Sequence, residues 1–397
     1  LVVIGQIVSL FGNAALRFAL PLYLLTQTGS SSLYGAVNAC AFIPAILLSP
    51  IGGVAADRVN KRNIMVILDF FTAGVIAVYY FFLGTADLPL LTAFTLMLLY
   101  GIAGAYQPAV QASIPALAAP EQLVAANSVI NIVGSFSGLT GPVLGGVLYN
   151  AYGLVPVLRM CAVCFVLSAV MEIFIHIPFI RQPSGGSVWQ TVKADLAQSI
   201  RFIVRDAPAI GKTVLTVCAV NLFLSSMILV GMPYIITEVL TLENANSLCG
   251  FSEGALAAGG LLGGICAGIF AGKVKAGKLL VFCALLVFPM GAALLLSFSD
   301  PFTYCVMTAC CFGLMVCSTI FSVCTMSFVQ AGTPPLLTGK VIAVILMISN
   351  CAQPLGNALY GVLFEACKGY EYGVIFFAGG ASLVVALQAG SLTADFF

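Results

Sequence analysis

Residues 53–62 read Gly53-Val-Ala-Ala-Asp57-Arg58-Val-Asn60-Lys61-Arg62, and apolar runs bounded at 32–55 and 63–84 flank them. Each run is long enough, at 1.5 Å per helical residue, to cross the ~30 Å hydrocarbon core of a bilayer. The charged stretch between them can stay in water only as a tight loop on one side. The segment therefore reads as a transmembrane hairpin. The same pattern continues outward, with spans predicted near 1–26, 32–55, 63–84, 89–115, 124–149, 155–178, 208–237, 249–271, 279–298, 302–329, 341–364 and 374–394.

Composition agrees. The 397 residues are 61% hydrophobic and 7% charged, with a mean hydropathy of +1.12. A soluble domain carries ~25% charged residues, so a soluble enzyme is excluded. A β-barrel would alternate apolar and polar residues over ~10-residue strands, which these continuous runs do not. The fold class is an all-α polytopic membrane protein. A net charge of +1 without a basic face gives no sign of nucleic acid. Most of the 14 cysteines, Cys161 and Cys164 among them, lie inside apolar runs and read as small hydrophobes rather than disulfides or metal ligands. The sequence opens at Leu1 within an apolar stretch, as a chain trimmed at its start would, so no leader can be judged.

Loop charge sets the orientation. Arg58, Lys61 and Arg62 follow span 2; Arg181, Lys193, Arg201, Arg205 and Lys212 follow span 6; Lys273, Lys275 and Lys278 follow span 8; Lys340 follows span 10. Loops on the other side hold Asp87, Glu238, Glu243, Asp300, Glu365 and Glu371 against Lys368. Even-numbered loops and both termini are thus predicted to be cytoplasmic. The expected organisation is a bundle at 1–181, a cytoplasmic linker at 182–207 and a second bundle at 208–397. In the linker, Trp189, Val192, Leu196, Ile200 and Ile203 recur at helical spacing, as an interfacial amphipathic helix would have them. The halves repeat weakly: Gly53 to Arg58 matches Gly268 to Lys273 at an offset of 215, and Gly141-Pro142 matches Gln353-Pro354 at 212. Repeated bundles joined by a linker describe a transporter of two rocking halves.

The 53–62 stretch closely resembles the loop signature of the major facilitator superfamily, with Asn60 in place of its second glycine; asparagine tolerates the left-handed conformation expected there. Gly141-Pro142-Val-Leu-Gly145-Gly146 resembles the span 5 motif of the drug:proton antiporters. Ala125-Ala-Asn127-Ser, Phe202-Ile-Val-Arg205 and Pro334-Pro335 with Gly339-Lys340 are similar to the macrolide and siderophore exporters. The resemblance covers the whole chain and implies twelve transmembrane helices in two six-helix bundles. It also implies a gating latch of Gly53, Asp57, Arg58, Lys61 and Arg62, with Asp57 capping span 11 near Gly339 and Lys340. The acid that relatives often place at the end of span 4 is replaced here by Gln107 or Gln111. Gly138, Gly141, Pro142, Gly145 and Gly146 are expected to pack on the glycines of span 8, from Gly259 to Gly268.

Ionisable groups at membrane depth are functional candidates by default. Arg17 lies near the middle of span 1, which the resemblance makes a cavity span, and is the first choice for a substrate or relay residue. Glu172 and His176 share a face of span 6, Asp69 lies two turns inside span 3, and Glu253 begins span 8. Proton coupling needs a buried carboxylate that loads and unloads near neutral pH, a role open to Glu172 and Asp69. Glu172 is also the expected ion partner of Arg17, while Asp69 can pair with Arg58 or Arg62. Neutral polar candidates are Gln6, Asn13, Asn221 and Tyr304, walled by Phe18, Phe223, Met227, Met232 and Phe312.

The chain is accordingly expected to export a hydrophobic or amphiphilic small molecule, a drug-like compound or siderophore, by proton antiport across a bacterial plasma membrane. It needs no cofactor beyond the proton gradient and no metal. Its partners are the substrate, protons and the lipid bilayer, without nucleic acid, and it works as a monomer. The alternatives are a lipid or lysolipid flippase of the same fold and a non-transporting scaffold or sensor.

Overall fold

The computed structural model describes residues 2–83, 87–117, 123–175, 196–270, 276–333 and 338–393. Twelve long helices occupy the described residues: α1 Val2–Thr28, α2 Ser31–Arg58, α3 Lys61–Phe82, α4 Leu88–Leu117, α5 Leu123–Tyr152, α6 Leu154–Ile173, α7 Pro208–Val239, α8 Ala245–Phe270, α9 Ala276–Leu295, α10 Asp300–Gly332, α11 Thr338–Ala366 and α12 Glu371–Thr393. Each matches one expected span, and the chain is a multi-pass membrane protein. Nine are long and apolar enough over their described residues to cross a bilayer. Their outward faces carry side chains such as Phe81, Leu90, Leu215 and Leu355, all more than two-thirds exposed, which only lipid would cover. None of the 14 cysteines forms a disulfide.

The chain divides into two compact units. The first comprises Leu1–Thr28, Cys40–Val188 and Asn244–Gly254; the second comprises Gly29–Ala39, Trp189–Glu243 and Ala255–Phe397. In the first, α1 packs on α5, α6 and α4, and α3 packs on α6 and α4. In the second, α7 packs on α11 and α12, and α9 packs on α12 and α10. The second pattern is the first moved on by six helices. The internal repeat is therefore a repeat of packing.

Glycines fix the closest crossings because only a residue without Cβ lets two helix backbones touch. A Cβ at Gly361 of α11 would lie 2.7 Å from the Ser31 carbonyl oxygen and 3.1 Å from Gly35 Cα of α2. A Cβ at Gly146 of α5 would lie 2.8 Å from the Asn246 carbonyl oxygen and 3.1 Å from Gly250 Cα of α8. Gly35 and Gly250 stand 215 residues apart, and so do Gly146 and Gly361. The two glycine locks are copies of one contact. The turns beside them repeat as well: Gly29, before α2, and Asn244, before α8, are also 215 apart and share a left-handed backbone, with φ of 61° and 60°.

Three features depart from the sequence reading. Asn60 is not left-handed: with φ −59° and ψ 118° it caps α3, its side chain accepting from the Arg62 amide at 3.0 Å. A side-chain cap does the work expected of a glycine turn. Helix α6 ends at Ile173 rather than 178, and residues 176–195, including His176, Trp189, Val192 and Lys193, lie outside the described residues. The described part of the linker, 196–201 followed by a π-turn at Phe202–Asp206, docks on protein: Ile203 is buried against Ile210, Val214, Val329 and Val341 of the second unit. Helix α7 widens into π-turns at Asn221–Ser225 and Ile235–Val239.

The lock geometry predicts a contrast between two glycines. Gly361→Ala should lower the thermal unfolding midpoint of the purified protein, by the equivalent of about 1–3 kcal/mol, because backbone must move aside. Gly264→Ala, where a Cβ would meet nothing within 4 Å, should be neutral or slightly stabilising through helix propensity.

Candidate functional site

The first unit buries a polar cluster where α1, α3, α4 and α6 meet. Gln6, Ser9, Asp69, Tyr106, Ser168 and Glu172 are all less than 10% exposed. The Tyr106 hydroxyl donates to Glu172 Oε1 at 2.8 Å and accepts from Gln6 Nε2 at 2.5 Å. The same Gln6 amide reaches Glu172 Oε1 at 3.5 Å. Ser9 Oγ donates to Asp69 Oδ1 at 3.0 Å, and Ser168 Oγ donates to the Gly5 carbonyl at 3.0 Å. The helical period explains the grouping: Gln6 and Ser9 stand three apart on one face of α1, as do Asp69 and Thr72 on α3 and Phe165 and Ser168 on α6.

Asp69 and Glu172 are close enough to act on each other electrostatically. Each keeps one oxygen, Asp69 Oδ2 and Glu172 Oε2, without a hydrogen-bond partner. Glu172 stands in the last turn of α6, where the helix carbonyls point and a negative charge is disfavoured. Two carboxyl groups so placed, with neutral donors around them, can hold and pass a proton. Met65, Tyr106, Val110 and Ile175 form an apolar cluster beside them. Among the described residues, no three His, Cys, Asp or Glu side chains group as a metal site requires.

Arg17 is elsewhere. The expected Arg17–Glu172 pair is not formed: Gln6, which bonds Glu172, is eleven residues from Arg17 on α1, about 16 Å along the axis. The Arg17 guanidinium instead lies over the Tyr100 ring of α4, 3.8 Å from its centroid, and its Nε has no hydrogen-bond partner. Tyr100 in turn meets Phe42 edge-on, at 5.1 Å. Cation–π contact contributes ~0.5–2 kcal/mol, less than the ~2.5–3.5 kcal/mol cost of inserting a charge at mid-membrane. The aromatic face alone leaves this charge incompletely compensated.

The remaining sequence candidates separate. The side chains of Gly53, Asp57 and Arg58, with Gln107 and Gln111, fall outside the described residues. Lys61 and Arg62 open α3, and the Arg62 guanidinium donates to Asn63 Oδ1 at 3.2 and 3.3 Å rather than to Asp69. Gly141 and Gly145 do not face α8 as expected: a Cβ at Gly141 would lie 2.6 Å from Ala14 Cβ of α1, and one at Gly145 3.5 Å from Ala15. Only the Pro142–Gly146 edge meets α8, at Gly250. Gly259 and Gly263 pack on α10, at Phe312 and Val316, because α8 turns a different face to each unit. Asn13 is half-buried on α1. Asn221 opens the first π-turn of α7 and donates to the Ser349 carbonyl of α11 at 3.0 Å, a packing bond rather than a free polar group.

Sequence reasoning missed Tyr106, Ser9 and Ser168, which tie the two acids into one cluster, and Tyr100, which holds Arg17. It also missed the Gly35–Gly361 contact, although the 215-residue offset, applied to Gly146, points to Gly361. If Tyr106 joins the Gln6 amide to the Glu172 carboxyl, Tyr106→Phe should lower the unfolding midpoint by the equivalent of ~1–3 kcal/mol, the cost of leaving buried partners unbonded. Tyr152→Phe, at a residue 73% exposed, should leave it unchanged.

Comparison with known proteins gives the family. The sequence model of the Major Facilitator Superfamily matches residues 2–357. The chain is 25% identical over 368 residues to Macrolide efflux protein A of Streptococcus pyogenes, covering 89% of this chain and 86% of that protein. It is 23% identical over 378 residues to the Multidrug efflux pump Tap of Mycobacterium tuberculosis, covering 92% and 87%. Among solved structures, the nucleoside transporter NupG aligns with a TM-score of 0.79 at 14% identity over 100% of both chains. An inward-facing, unoccupied bacterial homologue of the human lysosomal transporter Spinster aligns with a TM-score of 0.73 at 13% identity, over 98% of this chain and 95% of that one. Identities this low speak for the fold alone, and the fold agrees with the sequence match: the chain belongs to the major facilitator superfamily, a family of transporters and not of enzymes.

Proposed function

We propose that this transporter is a secondary active exporter that moves a hydrophobic or amphiphilic small molecule, a drug-like compound or siderophore, out of a bacterial cell in exchange for protons. The observation that carries the reading is the buried Asp69–Glu172 pair in a chain similar over nine-tenths of its length to efflux proteins. The pair would take up and release the coupling proton, with Tyr106 and Gln6 holding Glu172 in place. Two six-helix bundles, 1–181 and 208–397, would rock about the linker 182–207, with both termini cytoplasmic in the inner membrane.

The glycine locks support alternating access. Asn357 of α11 is fully buried beside Gly35, and neither of its amide atoms has a partner. A polar group left unbonded in one arrangement favours an alternative in which it is satisfied. The latch of Gly53, Asp57, Arg58, Lys61 and Arg62 would hold the cytoplasmic ends in the alternate state, so Asp57→Asn should reduce transport severely while leaving membrane insertion intact.

The coupling role is tested in proteoliposomes by uptake of N-phenyl-1-naphthylamine driven by an imposed pH gradient. Glu172→Gln and Asp69→Asn should each lower the gradient-driven rate at least about tenfold, the scale of losing one coupling carboxyl, while exchange without a gradient persists. Full gradient-driven uptake in both variants would contradict the proposal.

A further inference from the structure

We infer that Arg17 receives the acidic head of the substrate, so that the cargo is an organic anion: an apolar body carrying a sulfonate, carboxylate or phosphate group. This rests on the export reading and adds the charge of what is exported.

The inference starts from a counter-ion that the protein does not supply. A guanidinium stays charged at any physiological pH. Arg17 stands in the middle of α1, half-buried, with one face covered by Tyr100 at 3.8 Å and its Nε unbonded. The described acids of this unit are all committed elsewhere. Asp69 and Glu172 belong to the cluster about 16 Å along α1, where Ser9, Gln6 and Tyr106 hold them. Asp87 caps α4, accepting from the Leu90 amide at 3.0 Å. Glu253 stands on α8 with Cys249 as its titratable neighbour.

What the site does supply is a shaped half of a binding surface. Tyr100, braced edge-on by Phe42, fixes the plane of the guanidinium, and a guanidinium held in plane offers its N–H edge to two oxygens at once. The same aromatic pair offers an apolar wall to whatever is attached to those oxygens. The chemistry selects an anion with an apolar body, and the charge balance selects against a cation, which would meet Arg17 directly. The separation matters too: a substrate anion at Arg17 stays clear of the Asp69–Glu172 carboxyls, so proton and cargo need not compete for one site.

The test uses three probes on one anilinonaphthalene body: 8-anilinonaphthalene-1-sulfonate, the neutral N-phenyl-1-naphthylamine, and a trimethylammonium analogue. Uptake of each, radiolabelled, is measured with purified protein in phosphatidylcholine proteoliposomes under an imposed pH gradient. The expected result is an apparent KM for the sulfonate at least about tenfold below that of either other probe. In Arg17→Gln the sulfonate preference should fall to near one. Arg17→Lys, which keeps charge but not the planar fork, should retain part of it. Uptake of all three probes with similar KM in the wild type would overturn the anion assignment while leaving amphiphile export standing, and this arm needs no variant to fold. Persistence of the preference in Arg17→Gln would overturn it as well. Loss of the preference when phosphatidylglycerol is added to the bilayer would show that a lipid headgroup, rather than dissolved cargo, occupies Arg17, and would overturn it. Uptake of none of the three would overturn the export reading itself.

Discussion

Hydrocarbon gives a polar group no hydrogen-bond partner, and the described structure follows from that constraint. Backbone amides are satisfied within helices, so every described segment that could span the bilayer is helical. Side-chain polarity is confined to places where the protein brings its own partners. Gln6, Ser9, Tyr106 and Ser168 exist as a group because two carboxyls are buried among them. Where partners run short, at the second oxygens of Asp69 and Glu172, at Arg17 Nε and at the Asn357 amide, the deficit marks a place where the molecule changes state or takes a ligand. A deficit of this kind costs energy in the resting protein, and a transporter can recover it on loading.

Between helices the constraint acts differently. Burial from water cannot draw one transmembrane helix to another, so close packing must, and glycine makes it possible. The Gly35–Gly361 and Gly146–Gly250 contacts join α2 to α11 and α5 to α8, the same contact twice at an offset of 215 residues. Gly141 against Ala14 and Ala15, and Gly356 against Leu222 and Ser226, make a second duplicated pair. Contacts between backbones are all-or-none, since neither side can yield by a rotamer change. Surfaces of that kind suit helices that separate and meet again as rigid bodies.

The fold was legible from the sequence because apolar run length, loop charge and the glycine–proline offsets all act locally along the chain. The candidate site was legible only in part. Asp69 and Glu172 stood out as charges where lipid should be, yet nothing in the sequence joined them, since Tyr106 and Ser9 come from two other helices and look like ordinary apolar-run residues. The expected Arg17–Glu172 pair failed on distance: both residues belong to the first unit, but eleven residues of α1 separate Arg17 from the Glu172 contact. Glycine counting failed on direction, because Gly141 turns to α1 and Gly259 to α10. Asn60 shows that one turn can be made in two ways, by a left-handed backbone or by a side-chain cap.

The central claim is that the Asp69–Glu172 pair carries the coupling proton. It is tested most directly by counting protons with the purified protein in weakly buffered detergent solution, where a pH indicator reports proton release when a transported probe is added. The account predicts release from the wild type near neutral pH, and none from the Asp69→Asn, Glu172→Gln double variant while the probe still binds. Undiminished proton release from that double variant would contradict it.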